Sequence, residues 1–358
     1  MKILFIVGSL SNGGSERVVA NLSSELSKRD YEVTIALNDH ENSDYIVSED
    51  ISLYNLCPNN KNKIYTFFSN IKVYRKAIKT LKPDVVISFL TKYSVYTLIA
   101  SLGLNTPTIV SERNDPSKKP TEWYYRILRK MTYPLGNNFV FQTKQAQRYF
   151  SKRIQNKSVV IPNPVNLFET DLKTTYKSNI TRIITAGRIV KQKNHKLLID
   201  VFEEVSKNYP NLELFIFGDG PLKQNLINYV FSKDLQKRVQ ILGRTKDIYE
   251  KLKNSDLFIL TSNFEGMPNI LIEALAIGLP CISTDCPVGG PGELIENNVN
   301  GILVPVNDKE LLLKAILSLL NDNGIAIELG NNAKKIEKSL NIDVITSKWE
   351  ELIRKSFV

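Results

Sequence analysis

Two glutamates eight positions apart are the residues of this 358-residue chain best placed to handle a polar ligand. Glu265 stands at the tip of the loop Asn263-Phe264-Glu265-Gly266-Met267-Pro268-Asn269, directly after the apolar run DLFILTS. Glu273 follows inside ILIEALAIGL, a helical segment from Ile270 to Gly278 with Pro268 suited to its first position. A carboxylate amid Leu271, Ile272, Ala274 and Leu275 is costly unless something hydrogen-bonds to it. A ribose diol is one such partner and a buried arginine is another.

Cations and glycines stand at comparable points. The run RIITA ends at Gly187-Arg188-Ile189-Val190-Lys191-Gln192-Lys193-Asn194. Arg188 and Lys193 thus leave the carboxyl end of a strand, where open α/β sheets bind ligands and two cations can clamp a diphosphate. A solvated basic loop is the alternative. Near the N-terminus, KILFIV runs into Gly8-Ser9-Leu10-Ser11-Asn12-Gly13-Gly14-Ser15-Glu16-Arg17, then a helical pattern through Val18, Leu22 and Leu26. Glycines at such a turn let backbone N–H groups approach an anion, or merely permit a tight turn. The spacing is neither G-x-G-x-x-G nor a P-loop, so dinucleotide or ATP binding fits poorly.

The elements that must position these residues are legible as alternation. In the first half the strand-like runs are KILFIV, EVTIAL, DVVISF, TIVS, NFVFQ and SVVIP, and in the second RIITAGR, ELFIFG, RVQILG, LFILTS, PCIST and GILVP, with helical patterns between. Ile161-Pro162-Asn163-Pro164-Val165 interrupts the two series, because proline lacks an N–H and biases its predecessor away from helix. The reading is an α/β protein with two doubly wound domains, residues 1–164 and 165–342. The segment 343–358 is amphipathic, with Val344, Ile345, Trp349 and Ile353 near helical spacing; periodicity does not say which domain it packs on.

Composition narrows the class. Hydrophobic content is 42%, and no apolar run is long enough to cross a bilayer. The N-terminus reads as a buried strand, not a cleaved leader. Cys57, Cys281 and Cys286 match neither a disulfide framework nor a zinc site, and a reducing cytosol fits them. The net charge of +10 suggests an anionic partner. The excess concentrates between Lys118 and Lys157, where Glu122 is the one acid. Inside that stretch Trp123, Ile127 and Met131 recur at four-residue spacing, beside Tyr124 and Leu128 and among Arg126, Arg129 and Lys130. Such a helix suits an anionic membrane interface, or it is a core helix with one solvated side.

Together these motifs resemble a known family. Glu265 and Glu273 look like the E-x7-E pair of retaining GT-B glycosyltransferases of family 4. The similarity extends to Gly13-Gly14, Gly187-Arg188 with Lys193-Asn194, Gly218-Asp219-Gly220-Pro221, Gly243-Arg244, Ser262 to Glu265, and Asn300-Gly301. It covers the second domain and the outline of the first. The resemblance implies a GT-B architecture, two Rossmann-like domains facing across a cleft, with acceptor bound by the first and nucleotide-sugar donor by the second. It favours return of the C-terminal helix to the first domain.

By the same resemblance Glu273 would accept hydrogen bonds from ribose hydroxyls. Arg188 and Lys193 would neutralise the diphosphate, and Glu265 would face the donor sugar. Backbone N–H groups from Gly266 through Met267 and Pro268 to Asn269, and at Gly14, would complete the phosphate site, with Gly187 and Gly218 beside it. The base would lie along Leu242-Gly243-Arg244. Many relatives carry a histidine near the donor sugar, whereas this chain has only His40 and His195, and at the comparable strand end stands Ser111-Glu112-Arg113-Asn114-Asp115-Pro116. Glu112, Arg113 or Asn114 could position sugar or acceptor; an Asn/Asp-Pro turn is the plainer reading. His195 reads as a helix-start residue.

Such a site needs no metal or other cofactor, and the chain has no D-x-D triplet. The expected enzyme transfers a hexose or N-acetylhexosamine with retention, from a UDP-sugar to a lipid-linked saccharide, in capsule, O-antigen or exopolysaccharide assembly. It would work in the cytoplasm, peripherally on the inner face of the cell membrane. A catalytically silent sugar-nucleotide-binding subunit and an NAD-dependent oxidoreductase are the alternatives, while no nucleic-acid-binding module is evident.

Overall fold

A computed structural model describes the chain except residues 12, 40–44, 46, 57–62, 168–171, 174, 178 and 358, and except the side chains of 63–65. Cys57 and His40 lie outside the described residues. Two compact units form: Met1–Pro164 together with Ile342–Val358, and Val165–Asn341. Each is a parallel sheet with helical crossovers.

The sheet of the first unit contains β1 (Lys2–Val7), β2 (Glu32–Leu37), β3 (Ser52–Asn55), β4 (Val85–Phe89), β5 (Thr108–Ser111), β6 (Asn138–Phe141) and β7 (Ser158–Val160), in the order β3-β2-β1-β4-β5-β6-β7. Residues Ile3 to Val7 and all of β4 are buried, as the central strands of a sheet covered on both faces must be. β3 is the strand missing from the apolar runs of the sequence. It pairs in parallel with β2 at the sheet edge, and three of its four residues are exposed, so it carries no hydrophobic signature.

The second sheet contains β8 (Arg182–Ala186), β9 (Glu213–Phe217), β10 (Val239–Leu242), β11 (Leu257–Leu260), β12 (Cys281–Thr284) and β13 (Ile302–Val304), ordered β10-β9-β8-β11-β12-β13. In both sheets the chain reverses its direction of winding beside the first strand. This leaves a crevice at the carboxyl ends of β1 and β4 in one unit and of β8 and β11 in the other, the ligand-binding position of doubly wound sheets.

The closing helix, Ile342–Lys355, belongs to the first unit. Trp349 is fully buried there and stacks on Phe89 at 5.9 Å between ring centroids. Arg29, at the end of the helix Gly14–Lys28, donates to Glu350 at 2.6 Å and to Asp343 at 3.0 Å.

Candidate functional site

The winding reversal of the second sheet brings together two of the loops singled out in the sequence. Lys193, from the loop after β8, places Nζ 2.7 Å from Glu265 Oε1, from the loop after β11. Their side chains are 14% and 9% exposed, so the pair is largely removed from water yet reachable. Ser262 Oγ donates to the same Glu265 oxygen at 2.7 Å, and Gln192 Nε2 lies 3.4 Å from Oε2. The loops are also joined through backbone. Asn263 N–H donates to the Gln192 carbonyl at 2.7 Å, and Thr261 Oγ1 donates to the carbonyls of Lys193 and Asn194. Arg188 is exposed one residue past Gly187.

Lys193 and Glu265 therefore act on each other, whereas the family resemblance implies separate duties toward phosphate and sugar. A diphosphate arriving here would share the Lys193 ammonium with a carboxylate already seated. Ser262 and Gln192, which hold that carboxylate, were missed as a group. The available signal was position: one precedes Glu265 by three residues in its loop, and the other adjoins Lys193.

Glycines shape this edge. Gly218 has φ of +147°, and a Cβ there would lie 1.9 Å from the Gly187 carbonyl oxygen. Gly218 thus lets the β8 and β9 loops touch backbone to backbone. Gly243 and Arg244 are exposed, and a Cβ at Gly243 would meet nothing.

The helix after Glu265 spans Asn269–Ile277, and Pro268 is its N-cap, one position earlier than expected. Gly266 is half-buried, Met267 and Pro268 are buried, and Asn269 is half-buried. Glu273 is 3% exposed on a helix whose residues from Leu271 to Ile277 are all buried. His195, the first residue of the helix His195–Ser206, is buried. Desolvation, reinforced by Lys193, depresses its imidazole to about 4. It is a neutral packing residue at neutral pH.

In the first unit Gly14 opens the helix Gly14–Lys28. Glu16 lies in the first turn, and its carboxylate accepts from Ser15 Oγ at 2.6 Å and packs against Gly13, where a Cβ would come within 1.9 Å of Oε2. Any phosphate approaching Gly14 shares this helix end with an acid.

The Ser111–Pro116 segment is buried except at Asn114. Glu112 is buried, accepting from Thr91 Oγ1 at 2.8 Å and from the Tyr133 hydroxyl. Burial raises its pKa, against the opposing influences of Arg129 and the two hydroxyl donors. Arg113 is buried too, donating to Ser111 Oγ and Asn163 Oδ1 at 2.7 Å each, with its guanidinium carbon 4.7 Å from the Phe89 ring centre. Burial lowers its pKa to about 9. Both side chains are held inside the first unit by these partners, with Arg113 Nη2 buried and without a hydrogen-bond partner, and Asn114 is the exposed member.

The helix Trp123–Thr132 also divides its residues differently from the expectation. Trp123, Met131 and Ile127 are 71%, 67% and 49% exposed, a bare apolar stripe. Arg129, by contrast, is buried, donating to the carbonyls of Lys119 and Pro116, and Arg126 donates to those of Pro120 and Lys118. Those two arginines fasten the preceding loop, and Lys130 is the exposed cation of the three. Among the described residues no helix is long and apolar enough to cross a membrane.

These two sheets, with charged loops at the winding reversal of the second, define a glycosyltransferase of GT-B fold, and comparison with known proteins agrees. The family model described as Glycosyltransferase Family 4 matches residues 12–168, and that described as Glycosyl transferases group 1 matches residues 171–336. A Campylobacter jejuni relative, named GalNAc-alpha-(1->4)-GalNAc-alpha-(1->3)-diNAcBac-PP-undecaprenol alpha-1,4-N-acetyl-D-galactosaminyltransferase, is 32% identical over 99% of this chain and 98% of its own. The amylovoran biosynthesis glycosyltransferase AmsD of Erwinia amylovora is 27% identical over 98% and 99%. An Escherichia coli UDP-Gal:alpha-D-GlcNAc-diphosphoundecaprenol alpha-1,3-galactosyltransferase is 28% identical over 79% and 78%. Among solved structures, Anabaena HepE in complex with UDP superposes with a TM-score of 0.81 at 19% identity, covering 99% of this chain and 100% of that one. The chain belongs to the family-4 glycosyltransferases.

Proposed function

We propose that this glycosyltransferase moves a hexose or N-acetylhexosamine from a UDP-sugar to a lipid-linked saccharide, with retention at the anomeric carbon, during assembly of a bacterial surface glycan. The observation that carries the reading is the Lys193–Glu265 pair at the winding reversal of the second sheet, 2.7 Å apart and flanked by exposed Arg188. The relatives whose printed names specify undecaprenol-linked acceptors support the acceptor class.

The chemistry follows from charge. The bond between the anomeric carbon and the β-phosphate oxygen breaks, and negative charge grows on the departing diphosphate. Lys193 and Arg188 stabilise that charge, which is the larger part of the catalytic effect when donors are preorganised. The acceptor hydroxyl oxygen bonds to the anomeric carbon on the face the phosphate leaves, and its proton passes to the departing phosphate oxygen. A double displacement would need a free carboxylate nucleophile at the anomeric carbon. Glu265 is instead engaged by Lys193 and Ser262, which favours the single-step route.

The exposed stripe of Trp123, Ile127 and Met131, with Lys118 and Lys130 exposed nearby, supports peripheral attachment to an anionic bilayer, where a lipid-linked acceptor resides. The test is an assay of UDP-, GDP- and ADP-sugars against an undecaprenyl-diphosphate-linked saccharide, with the product anomer read by NMR. Transfer from UDP-sugars with retained configuration is expected. Inversion, or transfer only to free saccharides, would refute the mechanism or the acceptor class respectively.

A further inference from the structure

The first unit contains a second feature that the transfer chemistry leaves unused. A cavity of about 940 Å³ opens at the carboxyl edge of its sheet, between the ends of β1 and β2 and the helices Lys63–Leu81, Thr91–Ala100 and Trp123–Thr132. That volume lies at the large end of the range for small-molecule sites.

Its wall is a continuous aromatic series. Ring centroids step from Phe67 to Tyr96 at 5.4 Å, to Tyr125 at 6.2 Å, to Tyr124 at 4.6 Å and to Trp123 at 6.2 Å. The series begins at buried and half-buried residues and ends on Trp123, the start of the bare stripe. The Tyr96 and Tyr125 hydroxyls, 2.6 Å apart, share one hydrogen bond. The polar lining comprises Ser9, Asn38 and Asp39 at the strand ends, Thr66, Asn70 and exposed Lys92 on the helices, and the tyrosine hydroxyls. Asn70 Oδ1 is buried and has no hydrogen-bond partner, while the Asn70 amide group carries N–H donors that suit phosphate oxygens.

We propose that this cavity holds the isoprenoid segment of a polyprenyl-diphosphate acceptor next to its diphosphate, with the aromatic wall packing the hydrocarbon and Lys92 meeting the phosphate charge. This rests on the reading of the acceptor as lipid-linked and names where the lipid is recognised. A free saccharide would demand many directed donors and acceptors, whereas the wall is mainly aromatic ring face. Continuity with the exposed stripe lets the hydrocarbon run from the cavity into a bilayer without crossing water.

The test uses the full chain in buffer without vesicles or detergent, titrated calorimetrically with farnesyl diphosphate, inorganic pyrophosphate and free N-acetylglucosamine. Farnesyl diphosphate should bind at least about tenfold more tightly than pyrophosphate, since it alone can bury hydrocarbon. Phe67→Ala and Tyr124→Ala should each weaken it by about tenfold and leave UDP affinity unchanged. Tyr124 is 40% exposed, so its replacement remains informative should Phe67→Ala disturb folding. Equal affinity for farnesyl diphosphate and pyrophosphate would overturn the inference, as would indifference to both substitutions. N-acetylglucosamine binding that is sensitive to the same substitutions would make the cavity a saccharide site and overturn it equally. If either result came with intact transfer to an undecaprenyl-linked saccharide, the cavity assignment would fail and the proposed function would stand.

Discussion

Breaking the Lys193–Glu265 pair separates a structural from a catalytic role. At 2.7 Å the Coulomb attraction is about 6 kcal/mol for an effective dielectric near 20, and desolvation of two nearly buried groups cancels much of it. Lys193→Met would strand the Glu265 carboxylate with only Ser262 and Gln192 for support, costing about 2–4 kcal/mol of stability. Glu265→Gln should cost less, because Lys193 is 14% exposed and can turn its ammonium toward water. The double variant removes both charges and should recover about 2 kcal/mol relative to the additive expectation. Turnover should behave differently: a drop of about 100-fold in Lys193→Met that persists in the double variant. Urea unfolding gives the stability cycle, and release of nucleoside diphosphate from the donor gives the rate. Recovery of turnover together with stability in the double variant would show the pair to be scaffolding, and the argument from leaving-group charge would be wrong.

Three further outcomes are expected. Glu273→Gln should weaken UDP binding about fivefold or more with little change in melting temperature; a collapsed melting temperature with unchanged calorimetric affinity would make Glu273 a core residue only. His195, depressed to about 4 in the fold, binds its proton more readily when unfolded, so its contribution is complete above about pH 6.5 and lost as pH falls toward 4. It amounts to about 3 kcal/mol, and urea midpoints between pH 7 and 4 should fall less in His195→Gln than in the parent; parallel curves would contradict this. Gly218→Ala should destabilise the second unit by more than about 2 kcal/mol, because the Gly187 carbonyl blocks the added methyl; an unchanged thermal midpoint would refute that packing.

Twelve of the strands could be read as short apolar runs, the central ones because buried parallel strands need no other code and the edge strands β7, β10 and β13 because they keep β-branched or aliphatic residues. β3 could not, since an exposed edge strand is specified by its neighbour's unpaired backbone and not by its own side chains. Glu265, Lys193 and Arg188 were visible as charged residues at strand ends. Their partnership was not, because it depends on β8 and β11 lying side by side across a winding reversal, with sequence separation of a whole βαβαβ series between them. The partners of Glu112, Arg113 and Arg129 were not legible either, because only packing brings Tyr133, Asn163 and the loop carbonyls to them. The aromatic cavity was wholly illegible, since its walls come from three helices.

The placement of Trp349 has a consequence for how the protein is made. Its indole fills the first unit, yet it is synthesised after every residue of the second. On the ribosome, the sheet of residues 1–164 must therefore wait with Phe89 uncovered and the Arg113 charge open on one side, while residues 165–341 emerge and fold as one continuous piece. The order of completion is the reverse of the order of translation.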